Sequence, residues 1–484
     1  MENKLQGIEI GEKLGEECGV FGIFDPNGGE VAKKVYYALF ALQHRGQASC
    51  GMAVNNDGLI YCHKDAGLVS DVFTKDILET MGKGKIAIGH VRYASKPENA
   101  RQDAQPYAIN HVKGCMAICN NGSLVNGAEL REELELKGSI FHTFTNTEVL
   151  STIITQERLS AGSIEEAVSQ TMNKLVGSYC LLCMSAKKLV ACRDPHGFHP
   201  LCIGKLGDSY IVTSESCALD NLGATFVRDV KPGEIIIIDD EGLRSDETHC
   251  KDCESKMCIF EFIYFARPDS VLDGCSVHTA RRRAGQFLAK DHPVEADVVI
   301  GVPDSGLDAA IGYAQESGIP YGMGFLKNKY IGRTFIQPTQ TDREDKVRIK
   351  LNVIRSVVEG KRVVMVDDSI VRGTTCARIV NLLREAGATE VHMRSSAPEF
   401  LHPCYYGTDI DSEDKLIAHN RTNDEIAKIL NVDSLGYLSV EHIKELAHET
   451  NLGFCDACFT GNYPTELPKP VKKPIYMVKL SEKQ

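Results

Sequence analysis

The sequence predicts two folded domains, the second an α/β domain with a central parallel sheet. Three observations predict this. At 484 residues the chain is longer than one ordinary hydrophobic core organises. A polar stretch from Asp239 to Lys256 separates two apolar-patterned halves. In the second half, Ala296 to Gly306 and Val363 to Gly387 share one design: a short apolar run of the kind buried on both faces of a parallel sheet, an acidic and hydroxyl-rich loop, then apolar residues at helical spacing.

Composition narrows the function. The formal net charge of −12 disfavours nucleic acid or an anionic membrane as partner, since both reward a basic surface; the run Arg281 to Arg283 is a local candidate for phosphate. No apolar run approaches the ~20 residues of a membrane helix, and Met1 to Glu17 is charged throughout, without the apolar core of a signal peptide. A cytoplasmic location is expected. Eighteen cysteines in a large chain of this kind point to metal ligands, a nucleophile or buried thiols rather than disulfides.

The first half opens on Cys18-Gly-Val-Phe-Gly-Ile-Phe24, a strand-like run headed by cysteine. Alone, Cys18 reads as an inert buried thiol. It is followed in order by Leu42-Gln-His-Arg-Gly-Gln47, Gly89-His-Val-Arg-Tyr-Ala94, Gln105-Pro106, Asn120-Asn-Gly-Ser-Leu-Val-Asn126 and Thr145-Asn-Thr-Glu-Val149. Together these resemble the class II glutamine amidotransferase domain of the N-terminal nucleophile (Ntn) hydrolases, over the whole first half. The resemblance implies an α+β sandwich of layers αββα over 18–250 and a propeptide over 1–17. With the propeptide removed, Cys18 would be the nucleophile and its own α-amine the base, since that amine titrates near ~7.7 to 8.0. Asn121 and Gly122 would supply the oxyanion donors. Arg92 would clamp the glutamine α-carboxylate, and Asn146 would stand at the α-ammonium.

At that last position the family usually has Asp. A neutral amide exchanges a charge-assisted hydrogen bond of about 1.5–3 kcal/mol for one of about 0.5–1.5, so glutamine binding is expected to weaken roughly tenfold. Ala48, Asn120, Ser123, His199 and the segment Lys96-Pro-Glu98 also depart from the family pattern. The expectation is a working glutaminase of reduced efficiency.

In the second half, over 251–470, Val363 to Val366 leads into Asp367-Asp-Ser-Ile-Val-Arg-Gly-Thr-Thr375 and a helical repeat that Gly387 caps. Ligands of open α/β sheets bind at the carboxyl ends of strands, and a loop opening onto a helix N-terminus suits a phosphate. The Gly-x-x-x-x-Gly-Lys-Ser/Thr spacing is absent, so this is not a Walker loop. The stretch resembles the phosphoribosyl pyrophosphate (PRPP) motif of type I phosphoribosyltransferases. By that resemblance Asp367 and Asp368 hold the ribose hydroxyls, and Ser369 with Gly373, Thr374 and Thr375 the 5-phosphate. Asp304 and Ser305, in Pro303-Asp-Ser-Gly306, face the pyrophosphate, and Ser305, Asp367 and Asp368 share a magnesium ion, a taker of hard oxygen ligands. From charge alone, Lys327 to Phe335 is a solvated loop. By resemblance it is the loop that closes over PRPP, bringing Lys329 and Arg333 to the leaving group and excluding water.

Four cysteines complete the pattern. Chemistry alone allows an all-thiolate zinc site from Cys250, Cys253, Cys455 and Cys458. Resemblance to the iron–sulfur branch of the glutamine PRPP amidotransferases favours a structural [4Fe–4S] cluster on Cys258, Cys404, Cys455 and Cys458. That family resemblance spans nearly the whole chain up to a short tail, 471–484. It implies glutamine-dependent amination of PRPP to 5-phosphoribosylamine, the first committed step of purine (IMP) synthesis, with purine nucleotides as inhibitors and a homotetramer or homodimer as the assembly. Two rival readings stand beside it: an ammonia-dependent aminase with a weakened glutaminase half, and a non-catalytic PRPP sensor, which would need a basic DNA-binding module.

Overall fold

The computed structural model describes residues 18–93, 100–328, 351–410 and 412–469. The expected propeptide 1–17, the segment Lys96-Pro-Glu98, the loop residues Lys329 and Arg333, and the tail 471–484 lie outside these described residues. The chain divides into two compact units. One contains the described residues up to Met257 together with Tyr405–Thr408 and the residues from Tyr463; the other contains Cys258–Cys404 and Asp409–Asn462.

In the first unit the run after Cys18 becomes the strand Gly19–Gly29, central in a seven-stranded antiparallel sheet. In spatial order the strands are Thr225–Asp229, Cys202–Leu206, Ser209–Thr213, Gly19–Gly29, Gly84–Arg92, Ser49–Asn56 and Leu59–Ala66. A second antiparallel sheet runs Gly242–Asp246, Ile235–Asp239, Leu189–Arg193, Cys180–Ser185, Gly114–Asn121 and Tyr107–His111.

Strand periodicity sends alternate side chains to opposite faces, and here each face has a partner. Val20 and Phe24 join Ile88, Leu182, Leu189 and Ile236 between the sheets. Phe21 and Ile23 face the other way, onto Val31, Val35 and Leu39 of the helix Val31–Ala41. On the far side, Ile118, Leu181 and Ile237 pack with Leu150 and Ile154 of helix Asn146–Ser160 and Val168 of helix Ile164–Met172. The layers are helix, sheet, sheet, helix, as expected. Burial on both faces also explains why Ile235 to Ile238 shows no polar alternation. Cys180 and Cys183, on one strand, belong to these two cores, and burial pushes the Cys183 thiol up to about 12.

The second unit holds a four-stranded parallel sheet ordered Val298–Gly301, Arg362–Asp367, Glu390–Ser395 and Ser434–Tyr437. The helix Thr374–Glu385 buries Cys376, Ile379, Val380 and Leu383 in the same core as Val363, Met365 and Val391. It ends as the sequence predicts: Gly387 has φ +97°, and its N–H and that of Ala388 return to the carbonyls of Arg384 and Leu383, closing the helix end. The basic run is a correction. Arg281 is buried and donates to the carbonyls of Phe262, Tyr264 and Ala266, Arg282 pairs with Gln315, and Arg283 forms an ion pair with Glu449. Their N–H groups hold the fold together instead of a phosphate. No helix among the described residues is long and apolar enough to cross a membrane.

Candidate active site

Cys18 immediately precedes the central strand of the first sheet, and neighbouring side chains fix its backbone. Arg45 Nε donates to the Cys18 carbonyl at 3.0 Å, and Arg45 Nη1 pairs with Glu215 at 2.6 Å, both side chains being fully buried. His44 Nε2 reaches the same Glu215 oxygen at 2.8 Å. On the next residue but one, the Val20 N–H donates to Ser214 Oγ at 2.9 Å. The polar rung Ser214-Glu215 thus locks the strand end that carries the thiol.

Asn121 and Gly122 sit where the strand Gly114–Asn121 ends. Asn121 is buried, and its Nδ2 has no hydrogen-bond partner. An unpaired buried donor costs about 1–3 kcal/mol and is the arrangement an oxyanion hole requires. Gly122 has φ +131°, and a Cβ there would lie 2.4 Å from the Ser178 carbonyl oxygen, so only glycine lets the turn sit this close. Ser178 Oγ accepts the Ser123 N–H at 2.8 Å and donates to the Tyr406 carbonyl. His199, one of the departures from the family pattern, lies within 3.0 Å of the same carbonyl through Nε2, and Phe198 stacks on the Tyr406 ring at 4.2 Å.

Arg92 ends the strand Gly84–Arg92, and its Nη2 lies 3.1 Å from Asp103 Oδ2. Its Nη1 is buried without a partner. Asn146 begins the helix Asn146–Ser160, behind an N-cap made by Thr145. Its Nδ2 donates to Ser123 Oγ at 3.3 Å, and its Oδ1 packs over Gly127, within 2.3 Å of where a Cβ would stand. Glu148, in the same first turn, accepts from the N–H groups of His142 and Thr143 and from Thr143 Oγ1. Burial would raise its pKa, but these hydrogen bonds outweigh burial and hold it low.

In the second unit two strand ends meet. Val298–Gly301 and Arg362–Asp367 run parallel with Gly301 opposite Val366. Their following loops bring Ser305 Oγ to donate to Asp368. Asp367 accepts the Asp368 N–H at 2.9 Å, and Ser369 Oγ donates to Asp368 at 2.5 Å. Asp367, Asp368 and Ser305 are all buried, an oxygen-rich group at the carboxyl edge of the sheet. The Pro303–Asp304 peptide is cis, and Asp304 pairs with Lys327. Gly306 packs so tightly on this edge that a Cβ would lie 2.6 Å from the Val366 carbonyl oxygen. Gly373, at φ +75°, is the N-cap of the helix Thr374–Glu385, whose first turn carries no acid. A helix N-terminus of that kind favours a phosphate.

The four cysteines expected as cluster ligands, Cys258, Cys404, Cys455 and Cys458, all belong to the second unit. Cys258 and Cys455 lie on two short paired strands, and the Ile259 N–H donates to the Cys455 carbonyl at 3.3 Å. The Cys458 carbonyl accepts from Leu401 and His402 at 3.0 and 3.1 Å, shortly before Cys404. Burial, then proximity to Cys404 and Cys455, pushes the Cys458 thiol well up. Cys250 and Cys253 have other neighbours, the carboxylates of Glu234 and Glu247 for the first and of Asp194 and Asp252 for the second. No group of three or more His, Cys, Asp or Glu side chains set to hold a metal ion is found among the described residues.

Sequence reasoning missed Glu215, Ser178, Tyr406 and Asp103. Tyr406 stands in the His402-Pro-Cys-Tyr-Tyr-Gly407 run that the family resemblance uses for Cys404, but it acts through its carbonyl; Arg45 lies inside the quoted His-Arg-Gly run, and Glu215 follows the strand Ser209–Thr213 by two residues, a weak sign of a buried partner.

Residues 90–221 match the glutamine amidotransferase domain and residues 276–422 the phosphoribosyl transferase domain. An amidophosphoribosyltransferase of Methanocaldococcus jannaschii is 49% identical over 464 residues, covering 93% of this chain and 98% of that protein. One from Bacillus subtilis is 48% identical over 460 residues, covering 94% and 95%. The solved B. subtilis glutamine PRPP amidotransferase, complexed with ADP and GMP, matches with a TM-score of 0.86 at 48% identity over 93% of this chain and 98% of that one. At this identity over nearly the full length, the chain belongs to the amidophosphoribosyltransferase family, the enzymes that aminate PRPP with glutamine nitrogen in the first step of purine biosynthesis.

Proposed function

We propose that the two half-sites divide this reaction as follows. After release of residues 1–17, the Cys18 amine takes the thiol proton and the thiolate attacks the side-chain amide of glutamine, whose α-carboxylate rests on Arg92. Asn121 Nδ2 and the Gly122 N–H receive the oxyanion. Ammonia leaves, and water cleaves the thioester to glutamate. At the other half-site ammonia displaces pyrophosphate from the ribosyl carbon. Asp367 and Asp368 hold the ribose hydroxyls, Ser369 and Gly373 to Thr375 the 5-phosphate, and Asp304 and Ser305, with Lys329 and Arg333, the leaving group. The domain boundaries of this reading are 18–250 and 251–470.

The observation that carries the reading is the junction of Ser305 with Asp368, because it joins the pyrophosphate loop to the ribose loop at the carboxyl edge of one parallel sheet. Ser305, Asp367 and Asp368 offer hard oxygens suited to magnesium, which when bound neutralises the charge growing on pyrophosphate. The thiol donor set of Cys258, Cys404, Cys455 and Cys458 suits a structural [4Fe–4S] cluster. Purine nucleotides as inhibitors, for which the ADP and GMP bound to the B. subtilis enzyme are support, a homotetrameric or homodimeric assembly and a cytoplasmic location complete the reading.

The test compares glutamine with ammonium as nitrogen donor, with magnesium and after chelation, alongside the mass of the mature N-terminus. Expected are phosphoribosylamine from both donors, loss of transfer on chelation, and a chain beginning at Cys18. Release of no glutamate from glutamine would support the ammonia-dependent reading. Anaerobically purified protein is expected to carry iron, and Cys458→Ser to lose it; zinc without iron would overturn the cluster.

A further inference from the structure

An α-amino acid has two charges to be read, and the Asn146 amide supplies no carboxylate for the ammonium. Its Nδ2 is engaged with Ser123 Oγ, and its Oδ1 is packed over Gly127. A carboxylate does stand beside the guanidinium. Asp103 Oδ2 lies 3.1 Å from Arg92 Nη2, with the two side chains 14% and 16% exposed. Arg92 Nη1 is buried and without a partner, so the pair has one cationic donor in want of an acceptor. A carboxylate placed on Nη1 would bring its own α-ammonium alongside Asp103, and the result is a closed ring of alternating charges with every ionic group paired.

We infer that Asp103 binds the α-ammonium of glutamine in this chain, taking the part that an acid at position 146 would otherwise play. The inference rests on the glutaminase reading of the first unit and adds a specificity residue to it. The pair explains why Asp103 tolerates partial burial: burial raises its pKa and Arg92 opposes that rise, and an arriving ammonium adds a second opposing charge. Lys64, whose Nζ donates to the neighbouring Ala104 carbonyl and lies over the Tyr107 ring, fixes the backbone of the same turn.

The test uses the full chain and two substrates, glutamine and its analogue lacking the α-amine, and reads the ratio of their kcat/KM values. Asp103→Asn is expected to raise KM for glutamine about tenfold more than KM for the analogue, the value of exchanging a charge-assisted for a neutral hydrogen bond, so the ratio collapses. An unchanged ratio overturns the proposal. Asn146→Asp tests the same point without touching Asp103. A change in the ratio of less than about threefold is expected when the ammonium already has its carboxylate, and a tenfold or greater rise would place the ammonium at 146 and overturn the proposal. Absence of glutamate release by the parent chain would sink the glutaminase reading itself, an outcome distinct from either.

Discussion

Ser178 Oγ donates to the main-chain carbonyl of Tyr406, a bond between residues 228 positions apart that braces the turn carrying Asn121 and Gly122. Because the same hydroxyl accepts the Ser123 N–H, Ser178→Ala removes both supports at once. Glutamine-dependent kcat is expected to fall about tenfold, the rate equivalent of one lost hydrogen bond's positioning. Asn121→Ala, which deletes a donor itself, is expected to cost roughly 10²–10³-fold. Steady-state glutamate release, normalised to ammonia-dependent synthesis on the same samples, checks the order of the two effects.

Glu215 faces Arg45 with neither side chain exposed. Glu215→Ala leaves a guanidinium buried without that counter-charge, a change that costs about 3–5 kcal/mol. A lower urea midpoint for the first unit is expected, with slower glutaminase because Arg45 also holds the Cys18 carbonyl. A midpoint matching the parent would show that the pair is not the clamp described.

Gly306→Ala would force a Cβ against the Val366 carbonyl oxygen and, at 3.1 Å, the Asp367 Cα. Both obstacles are backbone, so the turn holding Asp304 and Ser305 must shift. A rise of at least tenfold in KM for PRPP and a stability loss of about 1–3 kcal/mol are expected, measured by initial rates and by thermal melts.

His90 is fully buried, its Nε2–H donating to the Asn120 carbonyl at 3.0 Å, and burial holds its pKa down to about 3 from an ordinary 6.5. The unfolded chain therefore takes up a proton that the folded chain refuses between those values. The stability linked to this group is complete above pH 6.5 and is lost progressively as pH falls toward 3. In His90→Asn the difference between unfolding midpoints at pH 7.5 and pH 5 should be smaller than in the parent; an equal difference would mean that His90 does not titrate as described.

The three large sheets were legible because their strands are buried in ways that leave a pattern: Cys18 to Phe24 heads a strand, Ile235 to Ile238 is covered on both faces, and Val363 to Val366 runs straight into its acids. Asp367, Asp368 and Ser305 were legible as site candidates because a strand end, a loop and a helix start lie together in sequence. What escaped was held by distance. Glu215 meets Arg45 across 170 positions, and Tyr406 serves Ser178 through a carbonyl, a group every residue carries. The basic run misled for a related reason: three adjacent arginines on the helix Val277–Asp291 point in different directions and find different partners.

The first unit does not consist of N-terminal residues alone, since Tyr405–Thr408 and the segment from Tyr463 are part of it. A nascent chain that has reached only Met257 still lacks the Tyr406 carbonyl on which the turn carrying Asn121 and Gly122 leans through Ser178. The ammonia-producing half therefore finishes folding only when nearly all of the ammonia-consuming half has been translated. Synthesis order thus withholds one support of the first unit until late in translation.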